Sequence, residues 1–138
     1  MKIPESARAV LEGPALAHLV TLEPDGRPQV SIVWIGVDGD ELVAGHLPNH
    51  RKLRNIRRDP RVALSVEAGT RNEIGLDEYV VVHGRARVTE GGAPELLQRL
   101  AHVYLGPDVK FPPMDDPPAG WLMRISVDRV AGVGPWQA

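Results

Sequence analysis

The chain has no cysteine, so a disulfide scaffold, a zinc site built on thiolates and a cysteine nucleophile are all excluded. Aromatic residues are scarce, with one Phe, two Tyr and three Trp, which leaves little material for stacking the bases of a nucleic acid. No run approaches the roughly 18 apolar residues of a membrane span, and the N-terminal stretch lacks the apolar core of a signal peptide. We therefore predict a cytoplasmic protein with neither membrane nor nucleic acid as a partner.

Several motifs of catalysis and nucleotide binding are also absent. There is no G-x-G-x-x-G, no G-x-S-x-G elbow and no GK[ST] phosphate loop. His46 and His50 are four residues apart, but a strand–helix boundary falls between them and no third ligand is evident, so we expect no metal site. With so few catalytic candidates, any reaction is expected to depend on a bound cofactor.

Positive charge is concentrated in one short segment. The chain carries 16 Lys and Arg against 18 Asp and Glu, for a net charge of -2, yet six of the basic residues lie between Arg51 and Arg61. The net charge argues against a dedicated DNA-binding domain. The segment therefore indicates either a local site for an anion or a solvated basic helix face.

The pattern of apolar residues predicts a single domain over residues 1–138 that is mainly β with short helices. Helices are expected over Pro4–Leu11, from Pro48 to Pro60, and over Gly91–Gly106. The first three strands read as an antiparallel meander, Gly84 marks a bulge in the fifth, and a Pro-rich loop covers Pro107–Ala119. Such hairpins favour a closed antiparallel barrel with helices packed outside. The predicted strands are Ala15–Leu22, Gln29–Val37, Glu41–Leu47, Arg61–Ala68, Glu78–Glu90 and Gly120–Val133.

The start of the basic helix suits a phosphate. Free backbone N–H groups and the positive end of the helix dipole lie there, and Arg51 and Lys52 add formal charge. Asn55 follows Lys52 by three residues and falls on the same side of the helix. From charge alone, a phosphate site and a solvated face remain equally good interpretations.

Three motifs in order are "DGRPQVS", "HRKLRNIRRDPRVALSV" and "YVVVHGRARV". Together they resemble the pyridoxamine-5′-phosphate-oxidase-like split-barrel superfamily. More narrowly, the chain looks like the actinobacterial deazaflavin-dependent reductases of its B branch, which use coenzyme F-420. The resemblance runs over roughly Ala7 to Trp136, and Lys52–Arg61 is its most specific part.

The resemblance implies a homodimeric split β-barrel with one cofactor per subunit at the dimer interface. Lys52 matches the family's phosphate-binding lysine, and Tyr79 matches a position that often closes the pocket, in some cases from the partner subunit. The second phosphate ligand stays open, because His50 and Arg51 share the position where relatives often carry an Arg. The cofactor-binding residues implied are Gln29, Val30, Ser31, Ile32, Gly45, His46, Leu47, His50, Arg51, Lys52, Asn55 and Tyr79.

The implied activity is transfer of a hydride from reduced F-420 to a small electrophilic molecule, with Tyr79 and His46 as candidate proton donors. Candidate substrate-pocket residues are Trp34, Phe111, Met114 and Trp136, although a Trp on a strand more often fills the core. Two alternatives stay open. One is an FMN-binding oxidoreductase or pyridoxamine-phosphate oxidase, and the other is a non-catalytic protein that binds flavin or deazaflavin.

Overall fold

The computed structural model describes residues 1–137. It is mainly β, as predicted, with seven strands and three short helices. In chain order the elements are α1 (Glu5–Leu11), β1 (Ala17–Leu22), β2 (Pro28–Val33), β3 (Gly36–Asp38), β4 (Glu41–His46), α2 (Arg51–Arg58), β5 (Arg61–Arg71), β6 (Asp77–Glu90), α3 (Ala93–Tyr104) and β7 (Trp121–Val133).

All seven strands form one antiparallel sheet in the order β2-β1-β5-β6-β7-β4-β3. Its two edge strands, β2 and β3, are joined by only Trp34 and Ile35. Two residues span at most about 7 Å, so the edges must lie close together and the sheet must curl into a barrel. The barrel stays open beside this connection because β2 pairs with β1 alone and β3 pairs with β4 alone.

The predicted three-strand meander is wrong in its middle strand. The run Gln29–Val37 does not form one strand, because the chain leaves one edge of the sheet after Val33 and joins the other at Gly36. At the crossing, the hydroxyl of Tyr104 accepts a hydrogen bond from the Ile35 N–H at 3.1 Å, and Ala15 and Ile35 carbonyls lie 3.2 and 3.3 Å from it. The Tyr104 hydroxyl is thus the hydrogen-bond partner of backbone groups that would have paired with a neighbouring strand if the strand were continuous.

The bulge predicted at Gly84 is confirmed. The register between β6 and β7 shifts between His83 and Gly84. A Cβ atom at Gly84 would lie 2.2 Å from the carbonyl oxygen of Ser126, so only glycine fits this close approach of two backbones. The barrel core on the concave side is built from alternating strand residues such as Leu19, Leu64 and Ile125, all 2% exposed or less.

Other predicted boundaries need small corrections. The helix expected from Pro48 begins at Arg51, and Pro48–His50 is a turn in which the His50 N–H bonds to the Pro48 carbonyl. The strand expected to end at Ala68 runs on to Arg71, so residues 72–76 are only a hairpin turn. The segment 107–119 contains no helix or strand, as predicted.

Candidate functional site

The basic segment folds as a helix because a narrow apolar stripe docks on the barrel. Leu53 and Ile56 are buried, whereas Arg51, Arg54 and Arg57 are exposed. The N-cap is His50, whose side chain makes no capping hydrogen bond. Within residues 1–137, no acceptor is bonded to the N–H groups of Arg51 and Lys52. These donors are therefore available to an anion at the positive end of the helix.

A cavity of about 330 Å³ lies at this helix N-terminus. It brings together the ends of β2 and β4, the first turn of α2, the middle of α3 and the 107–119 loop. Five predicted cofactor residues and two predicted substrate residues meet here. The lining residues are Ile32, Val33, Trp34, Gly45, His46, His50, Lys52, Leu97 and Phe111.

Gly45 lies where α3 packs tightly on β4. A Cβ atom there would lie 3.2 Å from Leu97 Cγ and 3.3 Å from the Ala93 carbonyl oxygen. The absent side chain lets the helix approach the strand closely and leaves Leu97 as part of the cavity wall.

The cavity is electropositive, and none of its lining residues is acidic. Burial lowers the pKa of Lys52 below that of an ordinary lysine. Burial, and then the positive charges of Lys52 and Arg54, lower the pKa of His50. Among the described residues, Lys52 has no ion-pair partner. The Lys52 ammonium thus lies beside two histidines in a partly dry space without a carboxylate, an arrangement that an anion would stabilise.

Two buried polar atoms near this cavity have no hydrogen-bond partner in the described part of the chain: Ser31 Oγ and His46 Nε2. His46 is only 7% exposed, and its ring lies edge-on to that of His50 at 5.7 Å between centroids. Burial first, and then the charges of Lys52 and His50, lower the pKa of His46 to about 3. The imidazole is therefore neutral at pH 7 and has a ring nitrogen free for a ligand.

Asn55, in contrast, is part of the protein's own hydrogen-bond network. It is 1% exposed, and its amide donates to Thr21 Oγ1 at 3.1 Å. Arg58 donates to Asn55 Oδ1 at 3.2 Å and also bonds to the Leu22 carbonyl. The Thr21 hydroxyl donates in turn to Gln29 Oε1 at 3.0 Å. Asn55 thereby fastens α2 to β1 and does not line the cavity.

Several other predicted cofactor residues also lie away from the cavity. Gln29 is bound to Thr21 and Val30 faces outward, 61% exposed. Arg51 turns toward Glu23, at 3.3 Å, and lines a different groove beside the turn between β1 and β2. Ser31 lies between Val30 and the lining residue Ile32, and Leu47 directly follows the lining residue His46, but neither lines the cavity.

Tyr79 does not line the cavity. It lies three strands from the cavity residue Val33, because Val33 pairs with Ala17, Ala17 with Val66, and Val66 with Val80, the residue after Tyr79. It lines a groove of about 520 Å³ that also contains Glu67, Asp77 and Glu78. Those carboxylates make the larger groove unsuited to a phosphate.

Two of the predicted substrate residues do not line the cavity. Trp136 is buried in the main core, and its indole Nε1 donates to the Tyr79 carbonyl at 3.1 Å, so it does not cover the cavity. Met114 is 45% exposed on the 107–119 loop and does not line the cavity. Trp34 and Phe111 do line it, and Trp34 also packs on the small core beneath α3.

Sequence reasoning missed the residues that support the site from behind. Thr21 was readable in principle, because a polar residue on the core-facing side of an alternating strand needs a buried partner. Leu97, Gln98 and Tyr104 were placed only as parts of a helix, because their contacts join segments far apart in the chain.

The sequence profile described as pyridoxamine 5′-phosphate oxidase matches residues 3–134. The chain therefore belongs to this family, and its fold is the predicted split barrel. It is similar to an F420 reductase of known structure, with 28% identity over 94% of this chain and 98% of that chain, at a TM-score of 0.72. This match and the family support an oxidoreductase of the flavin or deazaflavin type.

More distant structures share the fold. A conserved hypothetical protein from Mycobacterium tuberculosis has 24% identity over 94% of this chain and 83% of that chain, at a TM-score of 0.70. The HupZ protein of Group A Streptococcus has 17% identity over 95% of this chain and 94% of that chain, at a TM-score of 0.65. Residues 1–137 hold no cluster of three or more potential metal ligands, and none of their helices could cross a membrane.

Proposed function

We propose that this protein is a coenzyme F-420-dependent reductase of the B branch, which passes a hydride to a small electrophilic acceptor. The observation that carries the proposal is the unpaired Lys52 at the free N-terminus of α2, in a cavity with no acidic lining residue. The 28% identity to an F420 reductase supports deazaflavin as the cofactor. A cytoplasmic location remains a prediction from the cysteine-free sequence.

The residues present fit a phosphorylated cofactor. Lys52 Nζ and the backbone N–H groups of Arg51 and Lys52 would hold its phosphate, and the orphaned His46 Nε2 offers a further contact. Ile32, Val33 and Trp34 present an apolar surface beside these donors. When bound, the reduced deazaflavin supplies a hydride to an acceptor such as an activated C=C bond or a quinone-like ring.

The chain's own contribution is to bind, orient and exclude water. Trp34, Leu97 and Phe111 form a wall that keeps one side of the cavity dry. His46 carries no dissociable proton of useful acidity at pH 7, because its pKa lies near 3, so solvent is the better source of the proton that completes the product.

We also propose that the protein is a homodimer whose interface is the outer face of β2, β1, β5 and β6. Val30 and Ile32 are 61% and 57% exposed there, and Val20 and Ala63 continue the row of Val30 across β1 and β5. Val81 of β6 ends the row of Ile32, beyond His18 and Ser65. Ile32 also lines the cavity, so a partner on this face would border the site. Light scattering should give twice the chain mass, and Ile32→Asp should give the monomer.

An FMN-binding oxidoreductase is the second candidate, because the family profile matches nearly the whole chain and the same phosphate donors suit FMN. A non-catalytic flavin-binding or deazaflavin-binding protein would use the same site without turnover.

The deciding experiment is a pair of fluorescence titrations of the purified protein at fixed salt, one with F-420 and one with FMN. We expect clear preference for F-420, followed by turnover of enones or quinones with the reduced cofactor. Preference for FMN would move the protein to the flavin branch, and binding without any turnover would favour the non-catalytic alternative. If neither cofactor binds, the proposal is wrong.

A further inference from the structure

The cavity has a second, aromatic end that the phosphate site does not use. Trp34 stacks on Tyr104 with ring centroids 5.3 Å apart and planes only 7° apart, and Phe111 meets Trp34 at 5.1 Å and 56°. Trp34 and Phe111 both line the cavity. None of these three side chains carries a charge, so this end offers surface for a flat, apolar group.

The two aromatic neighbours of Trp34 are held by different means. Tyr104 is fixed through its hydroxyl, which bonds to the backbone at Ile35, and Trp34 is thereby set at the crossing between the sheet edges. Phe111 belongs to the 107–119 loop, which has no helix or strand of its own to fix it. Its position must come from contacts with the rest of the barrel.

Gln98 of α3 supplies such a contact with both ends of its amide. Its Oε1 accepts a hydrogen bond from the Phe111 N–H at 3.0 Å, and its Nε2 donates to the Val109 carbonyl at 2.8 Å. The same Nε2 lies 3.0 Å from His102 Nε2 on the exposed side of the helix. The side chain thus pairs the loop backbone on either side of Lys110, as a neighbouring strand would.

We propose that Gln98 is a positioning residue: by holding Phe111 against Trp34, it shapes an apolar subsite that takes a flat, uncharged ring. The inference rests on the proposed function. It narrows the class of hydride acceptor to flat, uncharged compounds such as quinones. Helix α3 supports this wall of the cavity at three residues. Leu97 lines the cavity itself, Gln98 holds Phe111 by a hydrogen bond to its N–H, and Tyr104 stacks on Trp34.

The test uses menadione, a flat uncharged naphthoquinone, as the probe, and follows binding by quenching of tryptophan fluorescence. Trp34→Phe identifies the part of the signal that comes from Trp34. Gln98→Met keeps the length of the side chain and removes both hydrogen bonds, and Gln98→Glu keeps the acceptor for the Phe111 N–H but loses the donor. Glu95→Gln, exposed on the same helix and without a bond to the loop, is the matched control.

We expect Gln98→Met to weaken menadione binding by about five-fold, the value of an aromatic contact, with Gln98→Glu intermediate and Glu95→Gln unchanged. The near-ultraviolet circular dichroism of the aromatic cluster should fall in the same order. Affinity for F-420 should stay within about two-fold of wild type, because the phosphate donors are untouched. Phe111→Leu should reproduce the menadione loss with Gln98 intact.

Two results would overturn the inference: a wild-type protein that does not bind menadione, or a folded Gln98→Met variant that binds it as tightly as wild type. Equal loosening of menadione and F-420 would also count against it, because that pattern indicates general damage. Failure of the proposed function is a separate result. If wild type binds neither F-420 nor FMN, menadione binding and the dichroism of the variants still decide the role of Gln98.

Discussion

The two ends of α2 are both rich in arginine and lysine, but the basic side chains at the two ends differ in their contacts. In the second half, Arg58 is bonded to Asn55 and the Leu22 carbonyl, and just beyond the helix Arg61 pairs with Asp59 at 2.7 Å. In the first turn, Lys52 has no ion pair among the described residues and lies in a cavity without carboxylates. The guanidinium groups of Arg58 and Arg61 are hydrogen-bonded within the chain, whereas the Lys52 ammonium has neither an ion pair nor a hydrogen bond among the described residues.

The pKa values of Asp59 and His46 are both lowered, but for different physical reasons. Hydrogen bonds from Arg61 lower the pKa of Asp59 to about 2, so that charge is stabilised by its partner. The pKa of His46 falls to about 3 for a different reason, since burial and neighbouring positive charges oppose its protonation. The Asp59 shift thus comes from an ion-pair partner, whereas the His46 shift comes from burial beside positive charge that no carboxylate of the cavity lining offsets.

The largest effect is expected in the second half of α2. Asn55→Leu removes the donor to Thr21 and the acceptor for Arg58, and leaves buried polar groups without partners. We predict a loss of about 3 kcal/mol in the free energy of unfolding, measured by urea denaturation. Arg57→Ala, an exposed change on the same helix, should cost less than about 0.5 kcal/mol.

Cofactor affinity in the folded Asn55→Leu variant should fall less than in Lys52→Ala. Full stability combined with lost affinity would contradict the structural role and place Asn55 back among the cofactor ligands.

Lys52→Ala should show the reverse pattern. Loss of a charge-assisted contact is expected to weaken cofactor binding by about 1.5–3 kcal/mol, or roughly ten- to 150-fold, in the fluorescence titration. Stability should stay level or rise slightly, because a partly buried, unpaired cation is removed. Arg57→Ala again serves as the control, with unchanged affinity.

The same residue gives a pH dependence. Burial lowers the pKa of Lys52, and only its protonated form attracts a phosphate. Binding should therefore weaken as pH rises, at a lower pH than for an ordinary lysine. Unchanged affinity in the folded Lys52→Ala variant would remove this residue from the proposed site.

His46 should make the protein less stable in mild acid. Its pKa is about 3 in the folded state against an ordinary 6.5, so between these values the unfolded chain binds the extra proton. Stability is then lost as pH falls below about 6.5. For this group alone, we predict about 2 kcal/mol between pH 7 and pH 5.

The comparison with His46→Gln isolates this effect from the acidic residues, since their contribution is common to both proteins. The difference in unfolding free energy between wild type and variant should shrink by that amount over the same range. A constant difference would show that the pKa of His46 in the folded protein is close to its value in the unfolded chain. His50 shifts in the same direction but is exposed, so it should add little.

Local patterns predicted much of the fold, and failed where distant segments meet. The hairpin turns, the bulge at Gly84 and the docking of Leu53 and Ile56 follow from residues close in the chain. The break at Trp34–Ile35 does not, because the Tyr104 hydroxyl that serves this backbone comes from a helix about 70 residues later. The alternation of apolar and polar residues does not distinguish one continuous strand from two strands between which the chain passes from one sheet edge to the other.

The residues of the candidate site also fall into two groups, those placed by local sequence signals and those whose contacts join distant segments. Local sequence signals placed Lys52 and His50 at the start of a helix, and their role toward a phosphate stays a prediction. Asn55 and Trp136 were assigned by motif or position, and the structure shows both as buried and bonded within the chain. Their partners, Thr21 and the Tyr79 carbonyl, lie 34 and 57 residues away, beyond the reach of spacing arguments.

Arg51→Ala should have the smallest effect, although it changes the residue next to Lys52. Its guanidinium is 66% exposed and pairs with Glu23 at 3.3 Å, away from the cavity, so only its backbone N–H faces the proposed phosphate. Exposed pairs of this kind contribute about 0–1 kcal/mol to stability. We expect cofactor affinity to fall less than about three-fold, a long-range charge effect that added salt should reduce further. The titration at two salt concentrations measures it beside Lys52→Ala, and a loss as large as that of Lys52→Ala, insensitive to salt, would show that Arg51 turns from Glu23 to become the second phosphate ligand.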